Sequence, residues 1–478
     1  MVADTQPMVS VTKRDVVWNY VGTIASMGSN FILLPMLIFF LTDEQLGLWY
    51  VFVAISGFAQ LLELGFATTL SRNILYCFSG ARRLTKQGCD YSSVEAGIDW
   101  HLFRVVLQTS KRIYAVVGVV GFSLAATVGS LYVGFVTDSF AVQGSLPSWI
   151  LFSISVFSNL YFLYCLTYLR GIGDVAGENK AKTFARIVQL VVTAILLLAG
   201  GSLLAASFGF LIYSIIMPVI AIVLFKSHGD IQTGVKSDAI AITRFEINEV
   251  LRTTSYIAWR DGVVSFAWYG ATQATSLLCS AFLGLSETAT YATMLQFASA
   301  VSNLACVYLR SCLPMFQSAY VRGEVELERR VVERGMACYT VVSIVGTLIV
   351  VMLLLPLLSL IKSDFVCDRL LYLGLSVYYF LLTQHSMFCN IIVSMNEIPY
   401  FKSYIVSTIA GIFLSGVLCG LFSYGAWGLV VGQAFPQLIY NNWKWPKTVL
   451  DSVGLSYGGA LGEGMKWWVQ RFWGARRK

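Results

Sequence analysis

Along the 478 residues, apolar stretches of about twenty residues recur so often that little chain is left between them. A helix needs roughly 20 apolar residues to cross the hydrocarbon of a bilayer. That length picks out twelve spans, approximately 16–41, 46–71, 113–136, 148–169, 184–202, 203–225, 258–283, 288–313, 335–360, 369–395, 400–422 and 424–443. Several connections are tight, such as Thr42 to Gln45, Gly284 to Glu287 and Ser423, so consecutive spans must be antiparallel neighbours. Composition points the same way: 57% of residues are hydrophobic and 12% charged, against about 25% charge in soluble domains. The sequence predicts an all-α, polytopic membrane protein of about 12 transmembrane helices. Longer connections occur only at 72–112, 226–257, 314–334 and from Lys444 onward, which leaves no room for an extramembrane domain.

Orientation follows from the basic residues. With the N-terminus in the cytoplasm, 31 of the 33 Lys and Arg fall on cytoplasmic ends and loops, leaving only Lys362 and Arg369 outside. Both termini are therefore expected in the cytoplasm. The net charge of +7 is then a signal of topology and of anionic membrane lipids, and nucleic acid is not an expected partner. The polar segment Met1 to Thr12 leads through Lys13 and Arg14 into a long apolar run, unlike a cleaved signal peptide. The ten cysteines occur singly with no CxxC pair, which reads as small buried hydrophobes rather than a metal site.

A shift of 242 residues lays "FLTDEQLGLW" (40–49) on "FLGLSETATY" (282–291), and a shift of about 219 pairs "ENKAKTFARIVQLV" (178–191) with "EIPYFKSYIVSTIA" (397–410). Six spans, a long mixed-charge connection and six more spans make two parallel repeats. The expected organisation is an N-terminal six-helix lobe (1–225), an inter-lobe linker (226–257), a C-terminal six-helix lobe (258–446) and a cytoplasmic amphipathic tail (447–478). In that tail, Trp467, Trp468, Phe472 and Trp473 beside basic residues suit a helix lying on the inner leaflet.

The N-terminal pattern resembles a known family. Asn19 early in the first span, "LLPMLIFFLTDEQLGLW" across the first turn, "FAQLLELGFATTLSRN" at the end of the second span and "GIGDVAGENKAKTFARI" (171–187) between the fourth and fifth are similar to bacterial Wzx-type oligosaccharide-repeat flippases. These form the polysaccharide transport branch of the multidrug/oligosaccharidyl-lipid/polysaccharide (MOP) exporter superfamily. The resemblance implies two six-helix lobes around a central cavity in the bacterial inner membrane. It also implies movement of undecaprenyl-diphosphate-linked oligosaccharide from the cytoplasmic to the periplasmic leaflet for O-antigen, capsule or exopolysaccharide synthesis. A polysaccharide polymerase is an implied partner; no cofactor is expected. Only the head of such a lipid must be kept from hydrocarbon, its diphosphate calls for cations, and Arg supplies a bidentate fork.

The charged residues inside the spans are the candidate site. Glu63 is the only charge between Leu46 and Leu70, about 25 Å along the second span. An ionised carboxylate there must face a cavity, pair with a cation or take up a proton. It reads either as an ion-coupling group for H+ or Na+ or as a helix-to-helix hydrogen bond. His385, beside Gln384 near the middle of the tenth span, is the other ion-coupling candidate, since imidazole titrates near neutrality; the alternative is a neutral ring bridging two helices. Arg72, Arg170, Arg260 and Arg310 lie at or one turn inside the cytoplasmic ends of spans two, four, seven and eight. They read as a diphosphate-collecting ring or as snorkelling anchors, with Arg260 and Arg310 deepest and Asp261 beside Arg260. Pro35, Pro218, Pro356 and Pro436 mark candidate hinges in spans one, six, nine and twelve.

An enzyme acting on lipid-linked glycans needs an external catalytic loop or a cytoplasmic nucleotide-sugar domain, and the connections are too short for either. The stronger rival is a multidrug or cation antiporter of the same superfamily, which calls for several deep carboxylates, whereas only Glu63 lies well inside and Asp261 is marginal.

Overall fold

The computed structural model describes residues 28–29, 32–78, 80–85, 88–89, 97–365, 367–395 and 399–474. They form two compact units, Met1–Phe266 and Ala267–Lys478. Both units are helical, and the only strands among the described residues are the two-residue pair β1 (Leu84–Thr85) and β2 (Gly88–Cys89).

In the first unit, residues 32–40 (α1) lead into α2 (Asp43–Gln60). Its start is fixed by a capping box: the Thr42 hydroxyl accepts from Gln45 N at 3.2 Å, and Gln45 Oε1 accepts from Thr42 N at 3.3 Å. A tight turn, Leu61–Glu63, and two left-handed residues, Leu64 (φ 50°) and Gly65 (φ 74°), then break the second expected span before α3 (Phe66–Phe78). Next come α4 (Trp100–Leu124), a π-helical turn (Ala125–Gly129) and α5 (Ser130–Val136), together 37 residues. At 1.5 Å per residue this is about 55 Å, far more than the roughly 30 Å of hydrocarbon. The turns carrying His101, Arg104, Lys111 and Arg112 therefore project out of the membrane, in keeping with a span that begins at Ile113. The unit continues through α6 (Ser145–Tyr161), α7 (Leu163–Gly171), α8 (Val175–Leu198), α9 (Ser202–Lys226), α10 (Gly229–Ser237) and most of α11 (Arg244–Thr272). Pro218 lies inside α9 without ending it.

The second unit takes up the end of α11 and adds α12 (Ala274–Phe282), α13 (Leu285–Ala305), α14 (Val307–Arg322), α15 (Val325–Ile349), a π-helical turn (Val350–Leu354), α16 (Leu355–Ile361), α17 (Arg369–Ser394), α18 (Phe401–Gly420), α19 (Ala426–Ile439), α20 (Asn441–Ser452) and α21 (Tyr457–Gly474). One series of elements here matches one of the first unit in length. The series α4, π turn, α5 has 25, 5 and 7 residues, and so has the series α15, π turn, α16. In the second copy the cause is visible: Pro356 has no N–H to give the turn before it, so the carbonyls upstream shift partner and the turn widens.

The expected spans are largely helical where they are described, with breaks inside them at 64–65, 162, 273 and 306. Among the described residues, seven helical spans are long and apolar enough to cross a membrane, or eight if α13 and α14, bent by 42°, count as one. The first expected span, 16–41, lies largely outside the described residues, and three others fall short for physical reasons. α19 has only 14 residues, α11 carries Arg260 and Asp261 and stops before Gln273, and α17 holds Gln384, His385 and three tyrosines.

Close helix pairs rest on small residues. A Cβ on Gly432 of α19 would lie 2.6 Å from the Cα and N of Ser415 on α18. Backbone cannot yield as a flexible side chain does, so Gly432→Ala is expected to destabilise the second unit by about 1–3 kcal/mol, read as a lowered thermal midpoint in detergent.

The tail helix packs against its lobe. Gly464 lets α21 press its backbone against that of Glu333 on α15, so the helix docks on protein. Trp468 Nε1 donates to the Arg334 carbonyl at 3.1 Å, and the Arg334 guanidinium sits 4.0 Å above the Trp467 ring. Two of the aromatics expected to enter the leaflet thus pack on the lobe, while Met465, Lys466, Val469 and Gln470 are exposed. The side chains of Phe472 and Trp473 lie outside the described residues.

Candidate functional site

The break in the second span explains Glu63. Its carboxylate accepts hydrogen bonds from the backbone N–H of Ala67, from Gly65 N at 3.2 Å and from the Tyr114 hydroxyl at 3.1 Å. The first two donors belong to the start of α3, where backbone N–H groups lack helical partners and the helix dipole is positive. The side chain caps a helix that begins inside the membrane region. Tyr114, fully buried on α4, also lies 3.5 Å from the Thr167 hydroxyl of α7.

Arg170 ends α7 a short distance along the chain from its partner. Gly171 allows α7 to approach α3 closely, since a Cβ there would stand 2.5 Å from that of Ile74. The chain turns through Gly173 (φ 85°), and Asp174 caps α8 by accepting from Gly177 N at 2.7 Å. This turn brings Glu178, on the first turn of α8, back onto Arg170. Arg170 Nε donates to Glu178 Oε2 at 2.9 Å and Nη2 to Oε1 at 2.5 Å, a bidentate fork. Lys182, one turn further, donates to the same Oε1 at 2.6 Å. Glu178 is 3% exposed, whereas the Arg170 side chain is 44% exposed.

These groups line one cavity of about 330 Å³ inside the first unit. Its charged wall consists of Glu63, Arg170, Glu178, Lys182 and Arg186, and Gln60 and Asn159 add neutral polar groups. The Arg186 guanidinium lies 4.2 Å over the Tyr213 ring and donates to Gln189 Oε1 at 2.8 Å. Three cations thus face two carboxylates, one already occupied with capping α3.

Of the residues singled out in the sequence, Glu63 and Arg170 share this cavity. Arg72 is exposed on α3 and does not line it. Arg260 and Asp261 lie on α11, their side chains outside the described residues. In the second unit, Arg310 is exposed on α14 and borders a much smaller hollow with Thr383, Ser386 and Asn390 of α17. His385 is 2% exposed, with Nε2 3.2 Å from Cys389 Sγ, its ring 5.2 Å from that of Tyr404, and no hydrogen-bond partner for Nδ1 among the described residues. Sequence reasoning missed Glu178, Lys182 and Arg186. Their spacing of four, within "GENKAKTFARI", was the available signal, because it sets all three on one helix face.

No family model matches this chain, and no curated protein matches it. Solved structures do. The lipid II flippase MurJ in an inward closed conformation superimposes with a TM-score of 0.62 at 13% identity, covering 93% of this chain and 90% of that one. An inward-facing multidrug resistance MATE family transporter of the MOP superfamily gives 0.61 at 12%, covering 92% and 99%. A MOP superfamily transporter from Pyrococcus furiosus gives 0.53 at 12%, covering 95% and 100%. The molecule is therefore a multi-pass, all-α membrane protein with the fold of a transporter. These solved structures are a flippase and transporters, two of them of the MOP superfamily, and the likeness to them is one of fold.

Proposed function

We propose that this protein is a flippase that moves a diphosphate-linked oligosaccharide lipid of the undecaprenyl class across the bacterial inner membrane, from the cytoplasmic to the periplasmic leaflet, with both termini in the cytoplasm. The observation that carries this reading is the fork of Arg170 on Glu178 at the wall of a cavity with three cations. A carboxylate held by two parallel N–H donors has the shape of the phosphate edge that the same donors would hold. Diphosphate entering the cavity exchanges one oxyanion for another at Arg170, and Lys182 keeps Glu178 paired meanwhile. Neither charge is left bare, which keeps the exchange from costing the several kcal/mol of an unpaired buried ion. Arg186 stands two turns from Glu178 along α8 as a further cation for the anionic head.

Arg72, Arg260 and Arg310 remain proposed anchors or secondary contacts for the head group. A polysaccharide polymerase is the proposed consumer of the flipped lipid, and H+ or Na+ the proposed driving ion. A cation antiporter asks the reverse of the cavity, an excess of carboxylate over cation.

The deciding experiment uses proteoliposomes containing a fluorescent polyprenyl-diphosphate oligosaccharide in one set and a soluble organic cation in another. Flipping of the glycolipid without cation exchange is expected; cation exchange without flipping overturns the reading.

A further inference from the structure

Outside the cavity, one ring is held from both sides. His101, on the projecting first turn of α4, has Nδ1 3.2 Å from Asp238 Oδ2 and Nε2 2.8 Å from Glu246 Oε1. A neutral imidazole offers one N–H and one lone pair, so it donates to only one carboxylate and turns a lone pair on the other. Two carboxylates on opposite nitrogens are both satisfied only by imidazolium. They also diverge, whereas metal ligands converge on one point.

We propose that His101 is a proton-operated clasp that fastens the connection between α10 and α11 onto α4 while the ring is doubly protonated and releases it on losing a proton. Asp238 is the residue that ends α10, and Glu246 lies in the first turn of α11, so the ring grips both ends of the connection. α11 in turn is the helix that carries the chain from the first unit into the second.

The surrounding charges make the proton decisive. Asp238 is also bound by Arg104, whose Nη1 lies 2.7 Å from Oδ2, 2.7 Å from the Asp238 carbonyl and 3.1 Å from the Ile240 carbonyl. Glu246 Oε2 accepts from Thr243 N and Oγ1, each at 2.7 Å. Asp99 caps α4 and pairs with Arg82 at 3.5 Å, and Lys236 and Arg244 are exposed. Imidazolium and Arg104 balance Asp238 and Glu246; without the proton, a lone pair and an unpaired negative charge face each other. The His101 side chain is 23% exposed and so is open to protons from water.

The hydrogen bond to Glu246, ahead of that to Asp238, raises the ring's pKa above its ordinary 6.5. Glu246 is itself held down to about 2, chiefly by Thr243, and stays ionised throughout. A raised value means that the clasp is fully closed below 6.5 and is lost as pH climbs through the elevated pKa.

The test is hydrogen–deuterium exchange of the full chain in lipid nanodiscs at pH 6 and pH 9, corrected for intrinsic exchange, read over residues 229–250. Wild type is expected to lose about tenfold in protection of this segment between pH 6 and pH 9, the order set by losing one charge-assisted hydrogen bond. His101→Gln, which offers donors on one side only, is expected to show low protection at both pH values. Equal wild-type protection at the two pH values overturns the proposal without reference to any variant, and so does an unchanged pH step in His101→Gln.

Discussion

Proteoliposomes carrying Arg170→Ala are expected to flip a diphosphate-linked glycolipid about a hundredfold more slowly than wild type, the loss of roughly 3 kcal/mol expected when a charge-assisted bidentate contact is removed. Arg170→Lys is expected to fall between, because one ammonium keeps the charge but not the fork. The variant has a second consequence that must be separated from the first. Glu178 is buried and loses two of its three donors with Arg170, leaving Lys182 alone. A weakened fold would also lower transport. The double variant Arg170→Ala with Glu178→Gln removes the stranded charge, so its thermal midpoint is expected to recover toward wild type while flipping stays low. Recovery of both together would make Arg170 a structural ion-pair partner and move the diphosphate contact elsewhere.

Glu63→Ala is the second large effect, and here the fold is expected to suffer first. Three donors, from Ala67, Gly65 and Tyr114, lose their acceptor at once. Leaving buried donors unsatisfied costs about 1–3 kcal/mol each in the harsher cases. With partial relaxation, a total of about 3 kcal/mol is expected in detergent-solubilised unfolding. Glu63→Gln keeps one acceptor oxygen and the shape, loses the charge at the helix N-terminus, and is expected to cost about 1 kcal/mol. Flipping per folded molecule should survive in Glu63→Gln. A variant as stable as wild type whose flipping no longer responds to a proton or sodium gradient would return Glu63 to the ion-coupling role.

The two predictions rest on very different legibility in the sequence. Glu63 announced itself, because one carboxylate in an apolar run demands an explanation. Its answer was hidden, since the second span was read as one straight helix. Leu64 and Gly65, both left-handed, divide that helix and create the orphan N–H groups that the carboxylate serves. Arg170 was legible as a cation near a membrane boundary, a description that fits a lipid anchor equally well. Its partner Glu178 was passed over, because a glutamate in a polar turn is unremarkable until the turn is seen to fold back. His385 shows the converse. Its position near mid-membrane read equally as a coupling group or as a neutral ring bridging helices, and the ring is packed among Cys389 and Tyr404, outside the cavities discussed above.

The sequence by itself determined the solvent and the helical class, since hydrocarbon forbids unpaired backbone and so favours helix in every long apolar run. The two series of 25, 5 and 7 residues became visible only as helices and π turns. Only the tertiary structure decided which charges share a cavity. Spans that are apolar on every side have no face to read. Their rotation is set by contacts such as Gly171 on Ile74 and Gly432 on Ser415, and those contacts belong to pairs of helices rather than to any one stretch of sequence.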